Sequence, residues 1–197
     1  MRIVWLLAAG CAAEPSDART PPVDVALPAD AVRFTFDLGA IELQLDREAA
    51  PETVANLLRY VDAGFFDGAD GLGETVVHRV VPGFVVQGGG FTRALEPKEV
   101  GPPVAYEGDN GLSNLRGTIA MARTDRPDTA TSQWFINLAD NLALDHLDGR
   151  PGYTVFGALT AGAEVVEAIA ASPTASRAGL DDVPDPPPVL LQVERGP

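Results

Sequence analysis

Cysteine, histidine and positive charge are all scarce in this 197-residue chain. The single cysteine, Cys11, excludes an intramolecular disulfide and any zinc site of clustered cysteines. With only two histidines, His78 and His146, no protein-built metal site is expected. Lys and Arg total 14 against 28 Asp and Glu, a net charge of -14, so nucleic acid and anionic membrane surfaces are repelled at long range. The apolar run that opens the chain is far too short to span a bilayer. No internal repeat is visible. What is present, 46% hydrophobic and 21% charged residues, suffices for one domain with a sizeable core.

The opening stretch MRIVWLLAAGC has a basic Arg2, an apolar run from Ile3 to Ala9, then Gly10 and Cys11. It reads as an export signal over residues 1–11 and resembles a bacterial lipoprotein signal, in which the cysteine becomes the acylated N-terminus. The run is short for such a signal, and Ala8 stands where leucine is usual. Plain secretion and a cytoplasmic protein are the alternatives. Residues 12–30 carry Pro15, Pro21, Pro22 and Pro28 among small and acidic residues, which predicts an extended linker suited to a tether. The folded domain is expected over 31–197.

In VRFTFDLGAIELQLD, Val32, Phe34 and Phe36, then Ile41, Leu43 and Leu45, alternate with polar neighbours around Leu38-Gly39-Ala40, the signature of a hairpin. APETVANLLRYVDAG changes period: Val54, Leu57, Leu58 and Val61 recur at helical spacing, with Pro51 at the start and Gly64 at the stop. A second helix is expected around Val165, Val166 and Ile169, ended by Pro173. Short apolar segments separated by turns, with only two helices, predict a mainly antiparallel sheet closed on itself.

Several blocks in order, HRVVPGFVVQGGGF, RGTIAMAR, TATSQWFIN and YTVFG after an APETVANL helix, resemble the cyclophilin family of peptidyl-prolyl cis-trans isomerases. The likeness spans about 160 residues, Phe34 to near Glu194. DNGLSNLRGT and ADN..LDH look most similar to its exported bacterial branch. The resemblance implies a mainly β fold, an eight-stranded antiparallel barrel capped by two α-helices. It implies an enzyme that rotates Xaa-Pro bonds, assists the folding of exported proteins and binds unfolded or flexible proline-containing polypeptides. Neither nucleic acid nor a metal is expected as a partner, no cofactor is expected, membrane contact is expected only through an N-terminal lipid anchor, and the chain is expected to be a monomer.

By the same resemblance Arg79 is the catalytic donor to the prolyl nitrogen. Phe84, Met121, Phe135 and Leu144 form the proline pocket, Gln87 and Gln133 hold the flanking peptide, and Ala122 and Arg123 offer an extended edge. The family's pocket histidine falls on Tyr153, with His146 as a nearby alternative. Simple alternation from Arg79 puts Val77 and Val81 on its face, with His78 and Val80 inside. His78 then reads as a satisfied core histidine, and no nucleophile accompanies it to suggest a hydrolase. Trp134 alternates into the core. Gly88, Gly89 and Gly90 lack the spacing and following helix of a phosphate cradle and read as a bulge or turn. Departures from the family pattern are Ala143 in place of a large aromatic wall, Val77 in place of phenylalanine, and an acidic insertion from Ala69 to Glu74. The insertion reads as a solvated loop extension or as a lip favouring basic substrates.

Overall fold

A computed structural model describes residues 26–197. The expected export signal with Cys11, and the expected linker up to residue 25, lie outside the described residues. Among those described, no helix is long and apolar enough to cross a membrane.

The alternating segment forms strands β1 (Ala31–Phe36) and β2 (Gly39–Leu45), paired so that Phe34 faces Ile41 and Val32 faces Leu43. All four side chains are buried, the outcome expected when one face of a pleated strand meets a core. The helical period becomes α1 (Pro51–Asp62), which buries Val54, Leu57 and Leu58. Pro51 sits in its first turn, where a missing N–H costs nothing. A carboxylate from a distant loop completes that end: Glu107 accepts from the backbone N–H groups of Glu52 and Thr53, at 3.0 and 2.8 Å.

Next come β3 (Asp67–Gly68), β4 (Gly73–Val81), β5 (Val85–Thr92), β6 (Thr118–Met121), β7 (Trp134–Asn137) and β8 (Val155–Ala161). Helix α2 (Ala163–Ala170), which buries Val165, Val166 and Ile169, is followed by β9 (Thr174–Arg177), β10 (Leu180–Pro184) and β11 (Leu190–Arg195). The main sheet runs β11-β1-β2-β8-β6-β7-β5-β4-β3, with antiparallel pairing throughout. It has nine strands rather than the eight expected, the ninth being the two-residue β3 at the edge. Its ends meet: Val77 N–H donates to the Pro188 carbonyl at 2.9 Å, and Val193 N–H to the Asp67 carboxylate at 3.1 Å. The sheet therefore curls into a nearly closed barrel around Phe34, Phe66, Trp134 and Phe156. Trp134 packs on Phe34 with ring centroids 5.3 Å apart.

Two features depart from the sequence reading. Strands β9 and β10 form a separate ribbon, unforeseen because all four residues of β9 are exposed and carry no apolar alternation. Within β4 the alternation is broken. Val77 pairs with Gly88 and Arg79 with Gln87, so three β4 residues stand opposite two of β5 in a bulge at His78. Val77 is consequently buried in the core with Val80, not on the face of Arg79. The bulge keeps the core filled on both sides of an outward-facing arginine.

The insertion is more than a solvated loop. Its flanks pair as β3 and β4, and the chain's only lysine, Lys98, runs beneath it with a side chain just 2% exposed. Lys98 Nζ donates to Asp70 at 2.8 Å and to the carbonyls of Phe65 and Gly73, each at 2.7 Å, and lies 4.6 Å from the Phe65 ring centroid. Burial alone would raise the Asp70 carboxyl, but the Lys98 ammonium and the Leu72 N–H outweigh it and hold the group below its usual range.

Candidate active site

Cross-strand register builds the site. Arg79 on β4 pairs with Gln87 on β5, Gln87 with Phe135 on β7, Phe135 with Ala120 on β6, and Ala120 with Val155 on β8. This row crosses five strands on the outer face of the barrel, since Val86, Trp134, Ile136, Ile119 and Met121 beside it belong to the inner core. Val85, Ala120, Phe135 and Val155 form a second apolar cluster, against which Phe84, Ala122, Leu144 and Tyr153 pack. Over it lies a hollow of about 110 Å³ lined by Arg79, Phe84, Val85, Gln87, Ala122, Arg123, Phe135, Leu144 and Tyr153. A larger hollow of about 510 Å³, around Leu45 and Leu112, shares Val155 with this cluster but none of the residues that line the smaller one.

The walls are held from behind. Gln87 Nε2 donates to Gln133 Oε1 at 3.0 Å. Tyr153 stands edge-on to Phe135 at 5.5 Å, and the Arg123 guanidinium lies 4.4 Å above the Tyr153 ring. Arg123 also donates to the carbonyls of Pro151 and Gly152, at 2.7 and 3.0 Å, so it clamps the segment that carries Tyr153. Asn141 Nδ2 donates to the Phe84 carbonyl at 2.9 Å and to Asn137 Oδ1 at 2.7 Å, while Asn137 reaches Asn114 and Asn114 reaches Asp145. That chain of amides ties Phe84 to the turn that carries Leu144.

The glycine run has a steric purpose. Gly89 adopts φ 83, and a β-carbon there would lie 2.7 Å from Trp134 Nε1. One on Gly90 would lie 2.5 Å from the Gln133 side chain. The bare backbone is the space in which Gln133 and Trp134 rest. The expected bulge is here: Thr75 pairs with Thr92 but Val77 with Gly88, so Gly89, Gly90 and Phe91 of β5 stand opposite Val76 alone, next to the second irregularity at His78.

Arg79 has a side chain 37% exposed and no hydrogen bond to any described residue. Its nearest charge is Asp182 of β10, with Nε 3.8 Å from Oδ2. Behind it His78 is buried against Phe91, with ring centroids 4.6 Å apart. His78 is core as expected but not satisfied, because Nδ1 has no hydrogen-bond partner. Burial, aided by the neighbouring Arg79 charge, pushes its pKa down to about 4. It is neutral at physiological pH and unsuited to general acid catalysis there.

Two expectations change. Met121 does not line the pocket: with Ile119 it faces the inner core, and Ala120 and Val85 supply the floor instead. Alternation from Gln87 and Phe135 could have identified both. Ala122 does line the hollow, but β6 stops at Met121 and the Ala122 N–H already donates to the Gln133 carbonyl at 2.9 Å. That N–H is not free to pair with a substrate strand. Of the alternatives for the pocket histidine, Tyr153 is in the hollow, whereas His146 is exposed and bonded to the Tyr106 hydroxyl at 3.0 Å. Among the described residues no group of His, Cys, Asp or Glu is arranged to hold a metal.

Comparison with known proteins gives consistent results. The family described as cyclophilin type peptidyl-prolyl cis-trans isomerase/CLD matches residues 31–195. Peptidyl-prolyl cis-trans isomerase A of Dickeya dadantii is 48% identical over 159 residues, covering 81% of this chain and 80% of that protein. Isomerase cyp18 of Streptomyces antibioticus is 44% identical over 162 residues, covering 81% and 94%. Isomerase B of Escherichia coli is 41% identical over 157 residues, covering 78% and 92%. The barrel superposes on the crystal structure of a Cryptosporidium parvum cyclophilin type isomerase obtained in the presence of the dipeptide Ala-Pro. The TM-score is 0.65 at 21% identity, over 85% of this chain and 99% of that one.

Proposed function

The chain belongs to the cyclophilin type peptidyl-prolyl cis-trans isomerase family, and from that premise we propose how this member turns an Xaa-Pro bond. The bond resists rotation because nitrogen shares its lone pair with the carbonyl, a barrier of roughly 20 kcal/mol that makes exchange last about 10 to 100 s. Twisting the bond localises that lone pair on the prolyl nitrogen. A donor aimed there is engaged only in the twisted state, so its stabilisation accelerates the step instead of tightening substrate binding. Arg79 is this donor. It remains charged, and no described residue takes its hydrogen bonds.

Phe84, Val85, Phe135, Leu144 and Tyr153 seat the prolyl ring in the hollow. Gln87 and Gln133, coupled at 3.0 Å, hold the flanking peptide group, since each amide both donates and accepts. No proton is transferred and no covalent intermediate forms. One charge-assisted bond contributes about 1.5 to 3 kcal/mol, or one to two decades of rate. Positioning of the twisted peptide and exclusion of water supply the rest.

The observation carrying this reading is a guanidinium on the rim of an apolar hollow whose hydrogen bonds no described residue takes. A proline-peptide isomerisation assay tests it. Arg79→Ala is expected to lower kcat/KM by about 10- to 100-fold while the variant keeps binding the peptide. An Arg79→Ala enzyme with the wild-type rate removes the mechanism, and peptide binding without any rate enhancement in the wild type would mark a binding module instead.

The substrates we propose are unfolded or flexible exported polypeptides, with the enzyme tethered through Cys11. The sequence MRIVWLLAAGC and the proline-rich residues that follow it support this. The mass of the mature protein from cells is the test: a diacylglyceryl group on Cys11 is expected, and an unprocessed Met1 excludes the tether.

A further inference from the structure

The β9–β10 ribbon lies beside β4 and brings one carboxylate to the edge of the site. Asp182 Oδ2 is 3.8 Å from Arg79 Nε. The ribbon is shaped for this. Its register breaks between Leu180 and Val183, and Asp182 within the break has φ 58, a left-handed conformation that costs most side chains energy. Val183, fully buried, pins the ribbon to the barrel on one side of the break. The neighbouring acids are engaged elsewhere: Ser176 Oγ donates to Asp181 at 2.6 Å, and Arg177 to Asp185, just past β10, at 2.9 Å. Asp182 alone is turned to Arg79.

Stability does not explain the pair. The two side chains are 37% and 48% exposed, and ion pairs in such positions contribute little to folding. The separation is instructive. At 3.8 Å the carboxylate attracts the guanidinium without taking a hydrogen bond, and it does so from the Nε side. A bidentate pair would have consumed the terminal N–H groups; this one leaves them for substrate.

We propose that Asp182 is a positioning residue for Arg79, narrowing the swing of a long side chain so that its terminal nitrogens stay at the prolyl site. The inference rests on Arg79 being the donor. Because the guanidinium acts in the twisted state, restricting it raises kcat and leaves KM nearly unchanged.

The test compares wild type, Asp182→Asn, Asp182→Gly, Arg79→Ala and Arg79→Ala/Asp182→Asn with one Xaa-Pro peptide, at low salt and at 1 M NaCl. Asparagine and glycine both accept the left-handed backbone, so the ribbon keeps its shape. Asp182→Asn and Asp182→Gly are expected to lower kcat about three- to tenfold with KM within about twofold. In 1 M NaCl, where the screening length is about 3 Å, the wild-type kcat falls towards that of Asp182→Asn, which itself does not move. Asp182→Asn adds nothing in the Arg79→Ala background. Asp182→Asn with a kcat at or above wild type, while Arg79→Ala is impaired, overturns the positioning role alone. A further loss in the double variant also overturns it, since the effect then passes through some group other than Arg79. An Arg79→Ala enzyme with full activity overturns both readings.

Discussion

Gln87 Nε2 donates to Gln133 Oε1 at 3.0 Å, joining β5 to the segment that enters β7. Each amide fixes the other, so neither is free to turn its polar atoms away from an incoming peptide. Replacing Gln133 with alanine releases Gln87 and, on the proposed reading, removes one peptide contact. We expect KM to rise by about three- to tenfold, matching a net hydrogen bond of about 0.5 to 1.5 kcal/mol, with a melting temperature within about 2 °C of wild type. Steady-state isomerisation kinetics and a thermal melt decide it; an unchanged KM removes the role given to the pair.

The glycine run separates stability from activity by one residue. Gly90→Ala sets a methyl group against the movable Gln133 side chain, which shifts to admit it. Activity is expected to fall about as far as in Gln133→Ala, with a small loss of stability. Gly89→Ala meets Trp134 and the Ser132 carbonyl while forcing alanine to φ 83, and should cost about 2 to 4 kcal/mol of folding free energy. Denaturant unfolding of the two variants tests the contrast, which fails if Gly90→Ala proves the less stable.

His78 makes folding acid-sensitive. Its pKa drops from the ordinary 6.5 to about 4 in the fold, so the unfolded chain binds the extra proton more readily. Stability from this group is complete above about pH 6.5 and is lost as pH falls towards about 4, by an amount on the order of 3 kcal/mol. The slope of unfolding free energy against pH over that window should flatten in His78→Asn. A slope equal to that of wild type assigns the acid sensitivity to other groups. Asp70, held below the usual carboxylate range, acts in the same direction at lower pH: its contribution is present above about pH 4 and lost as it protonates.

Lys98 fastens the acidic insertion from below. Lys98→Met removes the ammonium and strands the Asp70 carboxylate and two carbonyls, an expected loss of about 3 kcal/mol. The insertion lies away from the prolyl hollow, so kcat/KM at a temperature where the variant is folded should stay within about twofold of wild type. A larger loss of activity would assign the insertion a part in substrate handling.

Asn141 is the link between Phe84 and the Leu144 turn. Asn141→Ala breaks two hydrogen bonds and leaves the Asn137 oxygen without that donor, for an expected cost of about 1 to 3 kcal/mol and a fall in melting temperature of several degrees. Because both pocket walls loosen, kcat/KM should fall severalfold as well. Thermal melts together with the isomerisation assay check the two effects.

The parts of the fold that could be read from sequence were those where burial imposes a period. Val32, Phe34 and Phe36 gave β1, and Val54, Leu57 and Leu58 gave α1. The β9–β10 ribbon was hidden because its exposed strands have no such period. At the site, Arg79, Phe84, Gln87, Arg123, Phe135, Leu144 and Tyr153 came from the family resemblance, and the structure brings them around one hollow. Val77 was misplaced because one extra residue reverses facing, and a bulge between two similar valines leaves no mark in composition. Met121 was misplaced by the carry-over from the family resemblance, where counting by two along the strand assigns Ala120 to the floor. Asp182 was unreadable, since its meeting with Arg79 is a contact between residues about a hundred positions apart.

Along β5, β6 and β7 the barrel wall is a single backbone thick, with Trp134 and Ile136 on one side and Phe135 on the other. Tolerance to mutation should therefore flicker with each step along these strands: one residue governs whether the molecule exists, and the next governs what it does. Substitutions at the odd-numbered positions Val85, Gln87 and Phe135 are expected to alter substrate preference without renegotiating the interior, a freedom that a catalytic cleft sunk between two lobes does not offer.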